Sequence, residues 1–104
     1  VAVRMEQFLT ELLNTQPNLC RTEQILLIAP PSTALGKMAP SSAALDEACR
    51  ELGDYYADIA GKLHIHFANA SVWPVELGSD GVHMTVTGHQ IFAEEMKKIL
   101  ADIF

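Results

Sequence analysis

QILLIAPP, residues 24–31, is the stretch on which the fold turns. From Ile25 to Ala29 no polar side chain interrupts the run. Pro30 and Pro31 end it, because proline has no N–H to give to a ladder. A strand with one wet face alternates apolar and polar residues. An unbroken apolar run bounded by prolines is the pattern of a strand covered on both faces, as in a parallel sheet.

The neighbouring segments are helical. Over residues 3–15, Met5, Phe8, Leu9, Leu12 and Leu13 recur at helical spacing, and the pattern stops before Pro17. Downstream, GKMAPSS (36–42) is a loop, and Ser41 or Ser42 is placed to cap a helix. The stripe of that helix runs Leu45, Ala48, Cys49, Leu52, Tyr56, Ile59, Leu63. Gly53 lies inside it at a cost of about 1 kcal/mol relative to alanine, and Gly61 suits its C-terminal end. LHIHF (63–67) then alternates Leu63, Ile65 and Phe67 with His64 and His66, a half-buried strand near a sheet edge. A last helix is expected from Thr85, carrying Phe92, Met96, Ile99, Leu100 and Ile103 inward. No internal repeat or interdomain linker divides the chain.

The resulting order, α-β-α-β-α, is that of a layered α/β fold with a parallel sheet. Two strands cannot shelter both faces of QILLIA, since a strand buried in that way needs hydrogen-bonded neighbours on each side. The expectation is therefore an incomplete sheet, completed by an upstream N-terminal segment or a complementary chain. An unpaired edge left open would favour aggregation or a homo-oligomer.

Bulk properties narrow the function. At 104 residues the chain forms at most one domain, with 49% hydrophobic and 19% charged residues. A net charge of -6 without a basic cluster excludes a nucleic-acid or anionic-membrane surface. No apolar run is long enough to span a bilayer. VAVRMEQFLTELL lacks the parts of a secretion signal, so the expected compartment is cytoplasmic, although the sequence does not open on methionine. Cys20 and Cys49 show no metal or redox spacing, and Cys49, on a helical stripe, reads as a buried free thiol.

The chemistry is concentrated in GSDGVHMTVTGHQ, residues 78–90. Asp80 and His83 are spaced to bring a carboxylate oxygen to one imidazole nitrogen, leaving the other nitrogen to take a proton from a hydroxyl. Gly81 between them gives the backbone a conformation closed to other residues. Thr85 is a suitable N-cap for the helix that follows. Trp73 and Pro31 are weaker candidates for substrate contact, as is Ser32, which lies at the end of the buried strand.

The longer string DGVHMTVTGHQIFAEEMKKIL (80–100) resembles the C-terminal block of the SGNH, or GDSL-type, hydrolases, where it reads close to DGxHxTxxGH followed by an amphipathic helix. ILLIAPP resembles that family's late core strand and proline-rich loop, and Leu45 to Phe67 fits its arylesterase-like branch. The resemblance implies a three-layer α/β/α fold with a parallel sheet, of which residues 1–104 are the C-terminal part. It implies an esterase working through an acyl-enzyme on a small ester substrate, without cofactor or metal. Asp80 would be the triad acid, His83 the base, and His89 a hydrogen-bonded structural residue. The family's GDS serine and the middle blocks that complete its oxyanion hole are not in this sequence, so the chain alone should be inactive. Asn69 stands where relatives often carry aspartate, at a position that is usually structural.

Two other readings compete. His64 and His66, two apart on a strand, would share a face and with Asp80, His83 and His89 supply metal ligands. Alternatively, the chain is a degenerate hydrolase half acting as a non-catalytic binding or assembly module.

Overall fold

The structure, a computed structural model, describes residues 2–15, 21–37 and 40–104. Pro17 and Cys20 lie outside the described residues, as do Met38 and Ala39 of the loop. Five elements follow in order: α1 (Ala2–Thr15), β1 (Leu26–Ala29), α2 (Ala43–Leu63), β2 (His66–Asn69) and α3 (Val86–Ile103), with short 3-10 turns between them. No helix among the described residues is long and apolar enough to cross a membrane.

β1 and β2 pair in parallel, Leu26 opposite His66 and Ala29 opposite Asn69. The chain is thus a small α/β fold of helices around a two-stranded parallel sheet. Alternate residues along each strand face opposite sides. Leu27, Ala29 and Phe67 join Leu9 of α1 and Tyr56, Ile59 and Ala60 of α2 in the core. Burying a side chain of leucine or isoleucine size contributes roughly 1.5–3 kcal/mol, so these few contacts carry most of what holds α1, α2 and the sheet together. The opposite face is thinner. Leu26 and Ile28 are only half-buried there, and His66 meets the ring of Phe104 edge-on at 6.1 Å.

The second strand lies further along the chain than the alternation of LHIHF suggests. α2 continues through Leu63 and is ended by His64 in the left-handed conformation (φ 57°), whose N–H donates to the Ala60 carbonyl. Leu63 therefore belongs to the helix and Ile65 to the connection, so the period-two pattern spans a helix end and a strand start. Gly61 is within the helix rather than at its end. Ser42 occupies the N-cap position of α2 without a side-chain cap bond, and Ser41 lies in the 3-10 turn before it.

Several stripe residues also differ from expectation. Leu45 is exposed, Cys49 is half-buried rather than buried, and Leu100 is exposed while Phe92, Met96, Ile99 and Ile103 are half-covered. In each case the residue has helical spacing, but the described chain supplies too little on the facing side to enclose it.

Gly53 does have a structural reason. A Cβ there would lie 2.9 Å from Nδ2 and 3.0 Å from Oδ1 of Asn69. That amide cannot easily yield, because its oxygen accepts from the Ser71 N–H (3.1 Å) and hydroxyl (2.5 Å). Gly61 faces open space. The two glycines of one helix should respond oppositely in thermal denaturation. Gly61→Ala is expected to stabilise by about 0.4–1 kcal/mol, and Gly53→Ala to destabilise by about 1–3 kcal/mol through overpacking.

Candidate functional site

The segment that carries Asp80 and His83 is tied down at both ends. Leu77 and Met84 form an isolated antiparallel bridge, and the Gly78 N–H donates to the His83 carbonyl at 2.8 Å. Thr85 closes the segment as the N-cap of α3. Its hydroxyl accepts from the Gly88 N–H at 3.0 Å, and the O–H donates to the Glu76 carboxylate at 2.6 Å. This is the capping role expected of a threonine immediately before an amphipathic helix.

Within the loop, Asp80 serves two sets of donors. Oδ1 accepts from the backbone N–H groups of Val82 (2.9 Å) and His83 (3.0 Å), an Asx-type turn. Oδ2 lies 2.5 Å from Nδ1 of His83. The hydrogen bond to the His83 ring, followed by the two backbone N–H bonds, lowers the Asp80 pKa from the ordinary 3.8 to about 2. With Nδ1 engaged by the carboxylate, Nε2 is the nitrogen left for a second partner. The His83 side chain is 86% exposed and that of Asp80 50%.

Gly81 joins this loop to the segment after β1. Its φ is +71°, and a Cβ would overlap the Ala34 carbonyl oxygen. The Ala34 N–H in turn donates to the Gly81 carbonyl at 2.7 Å. The 33–36 segment is held from its other side by Asp46 of α2, whose buried carboxylate accepts from the Thr33 hydroxyl (2.6 Å), the Leu35 N–H (2.8 Å) and the Gly36 N–H (2.8 Å). These donors, with Thr33 foremost, lower the Asp46 pKa.

A groove of about 420 Å³ opens beside the pair, bordered by Pro30, Pro31, Cys49, His83, Met84 and His89 among others. Pro30 and Pro31 follow directly from the C-terminal end of β1, the edge at which open parallel sheets hold their ligands. Pro31 is thus brought to His83. Ser32 is not available there, since its hydroxyl donates to the Ser71 carbonyl at 3.0 Å. Trp73 does not border this groove, and packs instead against Phe92 of α3, edge-on at 5.2 Å. His89, in the first turn of α3, borders the groove, and its backbone N–H donates to the Thr85 carbonyl.

The paired histidines do not form a metal face. His64 ends a helix, and the Nε2 of His66 lies 3.1 Å from the Glu23 carbonyl oxygen. Among the described residues no three His, Cys, Asp or Glu side chains converge as a metal cluster. Sequence reasoning missed Asp46, Thr33 and the thiol of Cys49 at the groove. An aspartate in the first turn of a helix gives no sign in the sequence of which distant loop it holds. The chain matches no protein-family profile, no curated protein and no solved structure.

Asp80 should titrate as a carboxylate held by its partner. Side-chain carboxyl ¹³C shifts are expected to give a midpoint near 2, and His83→Ala should raise it toward 3.8 because the largest stabilising contact is removed. Since the folded value is depressed, the stability that this ionised group contributes is complete above about pH 4 and is lost as pH falls through about 2.

Proposed function

We propose that the chain is the C-terminal part of an SGNH-type serine esterase, a three-layer α/β/α domain with a parallel sheet, one face of which is covered here by α2. The observation that carries this reading is the Asp80 Oδ2 to His83 Nδ1 hydrogen bond beside an open groove at the C-terminal sheet edge. A carboxylate fixed on Nδ1 selects the tautomer whose Nε2 accepts a proton, and it stabilises the imidazolium that results.

The reaction runs in two acyl transfers. Nε2 of His83 takes the proton of a serine hydroxyl as its oxygen attacks the ester carbonyl, and returns that proton to the departing alcohol. His83 then deprotonates water, which attacks the acyl-serine, and protonates the serine oxygen as the acid leaves. The serine comes from outside these 104 residues. The hydroxyls nearest the groove are committed elsewhere, Thr33 to Asp46 and Ser32 to the Ser71 carbonyl. The substrate is a small carboxylic ester, and of the weaker candidates Pro31 borders the groove that would take it.

The non-catalytic reading draws support from a different surface. Val3 of α1 with Leu45 and Tyr55 of α2 leaves an exposed apolar strip, as an assembly module would. One experiment separates the two. Protein expressed from the complete reading frame should hydrolyse a short-chain aryl ester and be labelled by a fluorophosphonate. His83→Ala should reduce kcat by at least about 10³-fold with the circular dichroism spectrum unchanged. A complete protein that neither turns over ester nor takes the label defeats the esterase assignment.

A further inference from the structure

We propose that Asp46 is a positioning residue for the Asp80–His83 pair, acting through the 33–36 segment and the Gly81 carbonyl. The inference rests on reading that pair as the acid and base of the site, but its structural core does not. Asp46 is 6% exposed, and its two oxygens accept three hydrogen bonds, from the Thr33 hydroxyl and the Leu35 and Gly36 N–H groups. All three donors belong to the chain immediately after β1. Ala34, in the middle of that segment, makes the 2.7 Å bond to Gly81, the residue next to Asp80.

The connection transmits position because both joints are stiff. A carboxylate accepting three bonds fixes its donors in direction as well as distance, and charged acceptors make the stronger class of hydrogen bond. At the other joint Gly81 packs its backbone directly on the Ala34 carbonyl, with no side chain between. If the 33–36 segment relaxes away from α2, the support under Gly81 goes with it. The Asx turn of Asp80 then loses the constraint that aims its second oxygen at the ring. Arg50, on the same helix, acts on Asp46 through its charge and not by a hydrogen bond, and its guanidinium is paired to Glu47 at 2.6 Å. The segment is therefore held by neutral donors, which give it a defined geometry.

Asp46→Asn keeps one acceptor oxygen and replaces the other by a donor facing an N–H. Thr33→Val removes one bond at nearly constant shape. Both variants should shift the Asp80 carboxyl midpoint upward from its wild-type position, and Thr33→Ser should restore it. In the complete enzyme Asp46→Asn is expected to lower kcat by up to about 10²-fold with KM changed little, the cost of a displaced catalytic group. Ile59→Val, which loosens α2 without touching the loop, should leave the midpoint where it was. A midpoint unmoved in folded Thr33→Val overturns the proposal, and this variant decides the matter if Asp46→Asn does not fold. If the midpoint moves but the complete wild-type protein has no ester hydrolysis, positioning stands and the catalytic reading falls.

Discussion

The hydrogen bond from the Ala34 N–H to the Gly81 carbonyl is the constraint on which the site depends. It joins two loops that the sheet alone would leave independent, one leaving β1 and one leading into α3. Approach at this distance requires a residue without a Cβ, and the positive φ of Gly81 requires the same residue for a separate reason. One glycine thus satisfies a steric and a conformational demand at once. Among the described residues the other hydrogen bonds of the Asp80 loop, like the Leu77–Met84 bridge, stay within that loop or tie it to α3. Without the Gly81 latch the loop would be ordered internally but would not be placed against the groove.

Two aspartates divide the electrostatic work. Asp46 is buried and satisfied by a hydroxyl and two backbone N–H groups, so its charge shapes a loop. Asp80 is half-exposed, and its strongest contact is an ionisable ring. Burial of a carboxylate is tolerable only when its lone pairs are filled, and Asp46 meets that condition. Asp80 keeps one oxygen for local backbone donors and commits the other to His83. The same residue type thereby holds a loop in one place and an ionisable ring in the other, and the difference lies in what fills the second oxygen.

Much of the fold could be read from residue pattern. Helix α1, the strand that ends at Pro30, the parallel pairing and the Thr85 cap follow from spacing, prolines and capping chemistry, all of which are local. The cover expected on both faces of β1 is found on one, where Leu27 and Ala29 are buried while Leu26 and Ile28 are half-covered. The Asp80–His83 contact was also legible, because three residues around a glycine leave few geometries. What escaped were features set by partners distant in sequence. The alternation of Leu63, Ile65 and Phe67 looked like a strand although the first of these belongs to α2, since His64 adopts a left-handed conformation that histidine takes only occasionally. For Trp73 the sequence leaves substrate contact and plain packing open, and the Phe92 ring it packs on arrives from α3. The committed hydroxyl of Ser32 and the anchor at Asp46 depend on Ser71 and Thr33, neither of which any local pattern connects to them.

The exposure of His83 bears on what the site requires in order to act. A ring 86% open to solvent exchanges hydrogen bonds with water, and the field of a neighbouring carboxylate is screened there. General-base catalysis gains most when the reacting groups are held in a dry, preorganised cleft. The groove beside His83 has one wall from the Pro30–Pro31 turn and another from Val82 and Met84. Leu26 and Ile28 remain half-covered, and each of the two paired strands has an edge outside the pairing. A surface that completed the sheet on the β1 side would reach the same edge from which Pro30 and Pro31 emerge. On the proposed reading, a strand added at that edge would lie next to the Pro30–Pro31 wall of the groove, and so close to the exposed His83 ring.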